Sequence, residues 1–305
     1  WKSRKAVHPH SLGTSMLKTY VSGAPDAPTV LFLHGGGTSA RLWSDVIAET
    51  RSIRAVGVDM PGHGESNHIP WTDFPTTAAL IEQAAFDAAG GRHPQHIVGL
   101  SLGGYVAAEL MRRQPDRYAS AVITGIHDGV MPNRWLLRPV SKVTGRWVQY
   151  RWFASMSARA LGLQDEAKAR FIDDTLRTSP DAVPLFLDQV CDLEGIVGLE
   201  RFSGRALYMA GAREHGFMRA ATVRMAKRTA HGTAAIVPDL GHAWPGEDPN
   251  LAARTFEAHV LDQPLPRELD VMSALTNWQK SNVGVSGQPG RGQPRSHSGL
   301  SDPAR

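Results

Sequence analysis

The stretch Gly99-Leu100-Ser101-Leu102-Gly103 decides how this chain is read. It follows a short apolar run, His96-Ile97-Val98, and precedes a helix-like segment from Leu102 to about Gln114. A serine on a tight turn between a strand and a helix sits in a strained backbone, and only small neighbours let the chain bend so sharply. Such a turn, a nucleophile elbow, pushes the hydroxyl outward and aims the N-terminus of the following helix at whatever Ser101 attacks. Gly and Ser are common residues, so the pentapeptide takes its weight from what surrounds it.

Working outward, apolar strand-like runs alternate with helical patterns. Thr29–Leu33, Arg54–Val58, His96–Leu100, Ala119–Thr124, Arg205–Ala210 and Thr233–Val237 read as buried strands. Phe74 to Ala89 and Met218 to Ala230 read as helices, and a last helix opens with Asp248 as N-cap and Pro249 in its first turn and runs to about Leu261. This alternation predicts an α/β protein with a mostly parallel, doubly wound sheet. Between residues 129 and 204 no strand pattern appears, and an insertion of that length predicts a helical cap between two late core strands. The expected organisation is therefore an extension over 1–15, a core over 16–128 and 205–262, a cap over 129–204, and a Pro-, Gly- and Ser-rich tail over 263–305. Such a tail buries too little apolar surface to offset its ordering entropy and is expected to be disordered, although a piece around Leu269 to Trp278 has an amphipathic pattern that could dock. Met16 opens the first strand-like stretch, and the residues before it are read as lying outside the fold.

Composition narrows the classes. The chain has 305 residues, 42% of them hydrophobic, enough for a full core. One cysteine, Cys191, excludes an intramolecular disulfide and a cysteine-based zinc cluster, suits a reducing compartment and predicts a cytoplasmic protein. No run of about 18 apolar residues is present, so no transmembrane segment is expected, nor is a signal peptide. The net charge of +4 comes with no zinc finger, RNA-binding motif or arginine-rich arm, so a nucleic-acid partner is not expected. No His or carboxylate spacing suggests a metal or cofactor.

Three further pieces stand at the C-terminal ends of predicted strands, where open α/β sheets place their sites. They are His34-Gly35-Gly36-Gly37, the turn from Asp59 to Ser66 (sequence DMPGHGES), and Asp239-Leu240-Gly241-His242. Together with the Ser101 elbow, in this order, they make the chain resemble an α/β-hydrolase of the capped, carboxylesterase-like branch over about residues 17–261. The resemblance implies roles. Ser101 would be the nucleophile of a serine hydrolase acting on a small acyl substrate, an ester, lactone or relative. His242 would be its base, and the backbone N–H groups of Gly36 and Leu102 its oxyanion hole. The acid of such a triad is commonly an Asp after the strand that precedes the last one. Glu214 occupies that place here, with Asp128, after the strand beyond the elbow, as the alternative. His63 and His34 are read as shaping the site without reacting. The same fold also supports C–C bond hydrolysis, acyl transfer, lyase chemistry and weakly catalytic receptors.

In the cap, Arg134, Arg138, Lys142 and Arg146 recur every four residues, interleaved with Trp135, Val143 and Trp147. The plain expectation is a helix with one solvated face and one apolar face. Attraction of an anionic substrate, or peripheral contact with a membrane surface, is the sharper alternative. Trp152, Phe153, Met156 and Phe186 are candidates for an apolar substrate pocket, although aromatic and Met residues at such spacing are more often cap core. The pattern leaves the oligomeric state open.

Overall fold

In a computed structural model, residues 16–131, 145–193 and 195–272 are described, and they belong to one compact unit. The core elements, in chain order, are β1 (Thr19–Ser22), β2 (Thr29–Leu33), α1 (Ser44–Glu49), β3 (Arg54–Val58), α2 (Phe74–Ala88), β4 (His96–Leu100), α3 (Leu102–Arg113) and β5 (Ser120–Thr124). Among the described residues of the insertion, three cap helices follow: α4 (Arg151–Ala160), α5 (Asp165–Arg177) and α6 (Ala182–Cys191). The core resumes with β6 (Arg205–Gly211), α7 (Gly216–Arg228), β7 (His231–Val237), the single turn α8 (Trp244–Glu247), α9 (Pro249–Val260) and β8 (Asp270–Met272).

The strands form one eight-stranded sheet in the order β1-β3-β2-β4-β5-β6-β7-β8. The six inner strands are parallel, while the edge strands β1 and β8 run antiparallel to β3 and β7. Alternate side chains of each strand feed opposite layers, as a period of two requires. Leu31, Leu33 and Ile97 join α2, α3 and α7 on one face. Val30, Phe32, Val98 and Leu100 join α1 and α9 on the other. Trp43, Trp244 and Phe256 interlock in this second layer with ring centroids 5.7–6.0 Å apart. Removing a ring of that kind costs about 3–5 kcal/mol.

After β2 the chain moves outward to β3, then crosses back over β2 to β4. The loops that leave β2 and β4 therefore diverge to opposite faces, and the crevice between them is where a doubly wound sheet binds its ligand. Helix starts agree with local chemistry: Asp73 accepts the Thr76 N–H at 2.7 Å, and Asp248 accepts the Leu251 N–H at 2.9 Å.

The tail corrects one expectation. Residues 263–272 do not behave as a disordered end, and β7 is not the last strand. Leu269 is buried, and Asp270–Met272 pair with Ile236–Ala234. A three-residue strand is too short to be told apart within the amphipathic pattern around Leu269 to Trp278, and averaging over a Gly- and Pro-rich tail hides it. The remainder of the tail lies outside the described residues, as do Arg134, Trp135, Arg138, Lys142 and Val143 of the basic cap segment. Arg146 and Trp147 are described and exposed.

Between β5 and β6 the three cap helices build a small core from Ala154, Ala158, Leu163, Phe171 and Ile172, which also takes in Ala243. Side chains fasten α5 to the loop after β2. The Asp174 carboxylate, 2% exposed, accepts a hydrogen bond from Ser39 Oγ at 2.7 Å and lies 3.2 Å from Arg41 Nη1. Burial raises the Asp174 pKa, and these two donors oppose the shift. Asp173 pairs with Arg41 at 2.7 Å, and Arg170 pairs with Asp45.

Candidate active site

Ser101 leaves β4 with φ 54° and ψ −117° and stands directly before α3. A non-glycine residue at that φ costs about 1–3 kcal/mol and persists only where its surroundings over-determine it. Here the surroundings are close backbone. A side chain on Gly103 would collide with the Leu33 and His34 carbonyls, and one on Gly99 would collide with Gly103 itself. Ser101 N–H bonds the Thr124 carbonyl at 2.9 Å, and Gly103 N–H bonds the His34 carbonyl at 3.0 Å. The elbow is thus tied to β5 on one side and to the loop after β2 on the other.

That second loop closes a turn, with Thr38 N–H on the Gly35 carbonyl at 3.3 Å and Gly37 at φ +75°. A turn of this form demands a residue free of Cβ strain at its third position and leaves the N–H of Gly36, the second, outside its own hydrogen bond. Leu102 is the first residue of α3, so its N–H has no acceptor within the helix. Ser101 Cβ lies 3.7 Å from where a Cβ on Gly35 would stand. Gly36, Leu102 and Ser101 therefore stand together at the C-terminal ends of β2 and β4.

His34 supports this loop. Its Nδ1 lies 2.8 Å from the Gly35 carbonyl, which can only accept, and its Nε2 receives the Met60 N–H at 3.0 Å. Both contacts fix the neutral Nδ1–H tautomer, and full burial holds its pKa down to about 4. His63 is likewise fully buried, with Nδ1 on the Pro61 carbonyl at 2.9 Å, and burial beside His34 lowers its pKa to about 3. Asp59, at the head of the same turn, accepts the Ala40 and Glu65 N–H groups at 2.8 and 2.9 Å.

His242 lies on the loop after β7, its ring against Gly125 at the end of β5; a Cβ there would stand 2.7 Å from His242 Cε1 and 3.4 Å from Leu100 Cδ1. Its Nδ1 is 2.8 Å from Glu214 Oε2, and the other carboxylate oxygen accepts the Gly211 N–H at 2.9 Å. The Glu214 side chain is 3% exposed and the His242 side chain 32%. A carboxylate facing Nδ1 places the proton there and leaves the Nε2 lone pair able to take another. Asp128 is engaged elsewhere, in a two-pronged pair with Arg224 at 2.5–3.2 Å.

The four pocket candidates are scattered. Phe186 is buried and overlies the loop after β2: a Cβ on Gly36 would meet its ring at 3.1 Å, and its ring also contacts His63 and Trp71. Phe153 is half-buried against the main core. Trp152 and Met156 are exposed, with Trp152 beside Trp147 at 5.7 Å. The sequence pattern passes over Trp244, whose indole N–H bonds Thr124 Oγ1 at 2.8 Å and ties the His242 loop to β5. It also passes over Asp174, since nothing local links it to Ser39, 135 residues away. Among the described residues no group of three or more His, Cys, Asp or Glu could hold a metal ion, and no helix is long and apolar enough to cross a membrane.

Comparison with known proteins agrees with this architecture. The chain is 36% identical to an esterase of Mycobacterium tuberculosis over 106 residues, which is one third (33%) of either protein. It is 26% identical to the 2-succinyl-6-hydroxy-2,4-cyclohexadiene-1-carboxylate synthase of Salmonella agona over 245 residues, covering 75% of this chain and 92% of that one. Among solved structures, a thermophilic esterase from Thermogutta terrifontis superposes with a TM-score of 0.68 at 19% identity, covering 81% of this chain and 93% of the other. MenH from S. aureus superposes at 0.66 with 17% identity, covering 81% and 98%. A model of the alpha/beta hydrolase family matches residues 30–257, and with the elbow, the glycine loop and the late histidine all at one end of the sheet, the chain belongs to that family.

Proposed function

We propose that this protein is a serine hydrolase that cleaves a carboxylic ester, lactone or related acyl compound through an acyl-enzyme on Ser101. The observation that carries this reading is the Ser101 elbow, at φ 54°, at the same sheet end as a histidine hydrogen-bonded to a buried carboxylate at 2.8 Å. Ser101 Oγ attacks the acyl carbon as His242 Nε2 takes its proton. The oxyanion forms against the N–H groups of Gly36 and Leu102, donors that need no reorganisation. Collapse expels the alcohol, which takes the proton from the imidazolium. A water activated by His242 then attacks the ester carbon, and the acid is released with Ser101 restored. Glu214, facing Nδ1 at 2.8 Å, orients the ring and stabilises the imidazolium. Of the four aromatic and Met candidates, Phe186 is assigned the wall of the acyl pocket, because it alone overlies Gly36.

The likeness to the Salmonella synthase over most of both chains favours a second reading, in which the same three residues serve C–C bond or lyase chemistry. A panel of p-nitrophenyl esters of increasing acyl length, with a fluorophosphonate probe, separates the two. Ester turnover that disappears in Ser101→Ala, with an acyl-enzyme trapped by hydroxylamine, supports the hydrolase. Probe labelling of Ser101 without turnover of any ester moves the assignment to the second reading. Equal rates in wild type and Ser101→Ala remove both.

A further inference from the structure

The loops that carry the acid and the base are joined on two sides. Their backbones are zipped together, with Ala212 N–H on the Val237 carbonyl and Arg213 N–H on the Leu240 carbonyl, each at 2.9 Å. From this zipped strip Glu214 reaches His242. The preceding residue, Arg213, pairs instead with Glu247 at the end of α8. The other Glu247 oxygen, Oε1, accepts the N–H of Gly241 at 2.8 Å, and Gly241 is the residue directly before His242. The Glu247 side chain is 8% exposed and that of Arg213 57%.

A carboxylate so withdrawn from water is costly unless its partners compensate, and its pairing with a half-exposed arginine contributes little net stability. The geometry gives it another use. Oε1 fixes the Leu240–Gly241 peptide, one residue before His242, and Arg213 ties that same peptide to the backbone from which Glu214 projects. The cap rests on the same spot. A Cβ on Gly162 would stand 2.8 Å from Glu247 Oε2 and 3.4 Å from Arg213 Nη2, and Leu163 packs on Gly246. Ala243, directly after His242, belongs to the cap's own apolar cluster.

We infer that Glu247, clasped by Arg213, is a positioning residue for the base: it holds the Gly241 peptide so that His242 keeps its hydrogen bond to Glu214, and it lets the seating of the cap bear on that alignment. The inference rests on the assignment of Ser101, His242 and Glu214 proposed above. Its test uses the full chain and the variants Glu247→Ala, Glu247→Gln and Arg213→Ala. The readouts are kcat and KM on a p-nitrophenyl ester across pH, the thermal midpoint, and the low-field proton resonance of the His242 Nδ1–H.

In Glu247→Ala kcat falls about tenfold or more with KM little changed, since displacing a catalytic group by about 1 Å can cost on the order of 100-fold. The acid limb of kcat/KM moves to lower pH, because an imidazolium less well held by Glu214 loses its proton more readily. The low-field resonance weakens. Glu247→Gln keeps an oxygen for the Gly241 N–H and recovers most of the rate and the resonance. Arg213→Ala changes an exposed side chain and moves the limb in the same direction by less. Wild-type kcat and limb in Glu247→Ala overturn the inference. So does equal loss in the Ala and Gln variants that follows the thermal midpoint with the limb unmoved. If Glu247→Ala does not fold, wild-type kcat and limb in Arg213→Ala overturn it instead. Ester turnover surviving in Ser101→Ala would remove the triad assignment itself, whereas turnover that depends on Ser101 but not on Glu247 removes only the positioning role.

Discussion

Two kinds of histidine face the Ser101 end of the sheet, and their surroundings differ in every respect that matters for proton transfer. His242 is one-third exposed and shares its Nδ1 proton with a buried carboxylate. His34 and His63 are fully buried, meet carbonyl oxygens through Nδ1, and have pKa values pushed down to about 4 and about 3. All three follow sheet strands and all three sit beside glycine. A base needs a carboxylate to stabilise its cation and an open nitrogen to receive the proton, whereas a burial site that favours the neutral ring makes the histidine a fixed hydrogen-bonding block. On the proposed function, partner and exposure rather than position in the chain separate the two kinds.

The contrast breaks most sharply in substitution. His242→Gln should reduce kcat on a p-nitrophenyl ester by about 10⁵-fold or more, while His63→Gln should cost less than about tenfold; comparable losses would erase the distinction. Next comes the acid. Glu214→Gln should lower kcat by about 10⁴-fold, as loss of the orienting carboxylate does in such triads, with the thermal midpoint nearly unchanged.

The buried pair predicts a pH effect on stability. Their folded pKa values are depressed below 6.5, so the unfolded chain binds protons that the native one refuses. Their contribution is complete above pH 6.5 and is lost as pH falls towards 4, by up to about 3 kcal/mol for each ring. Urea midpoints at pH 7 and 4.5 should show that fall, and His63→Gln should flatten it; an unchanged slope would show that the ring is not held neutral. The smallest effect belongs to the competing acid. Asp128→Asn should leave kcat within about threefold and cost up to about 1 kcal/mol, the worth of a pair with a half-exposed arginine. A loss on the scale of Glu214→Gln would move the acid to Asp128.

Much of this could be read in one dimension. The strand cores at Thr29–Leu33, Arg54–Val58 and His96–Leu100 carry continuous apolar runs, because both faces of these strands are covered. The elbow was legible because the close approach of Leu33 and Gly103 demands glycine wherever it occurs. β8 was not, being three residues long within a tail of turn-formers. The fastening of α5 to the loop after β2 was not legible either, since Ser39 and Asp174 are 135 residues apart and neither has a local signature.

The six parallel strands, the helical insertion, the turn that presents Ser101 and the loop that presents His242 follow from short-range periodicity and backbone sterics, and are present in the chain order alone. The meeting of Glu214 with His242 and of Asp128 with Arg224, the cover of Phe186 over Gly36 while Trp152 faces solvent, and the closing of Glu247 on Gly241 are settled in three dimensions. Those choices depend on which loops a parallel sheet sets side by side. Strand register aligns the ends of β6 and β7, from Arg205 with His231 through Gly211 with Val237, and so brings together side chains 28 residues apart, a pairing that the sequence suggested only through the family resemblance and left open against Asp128.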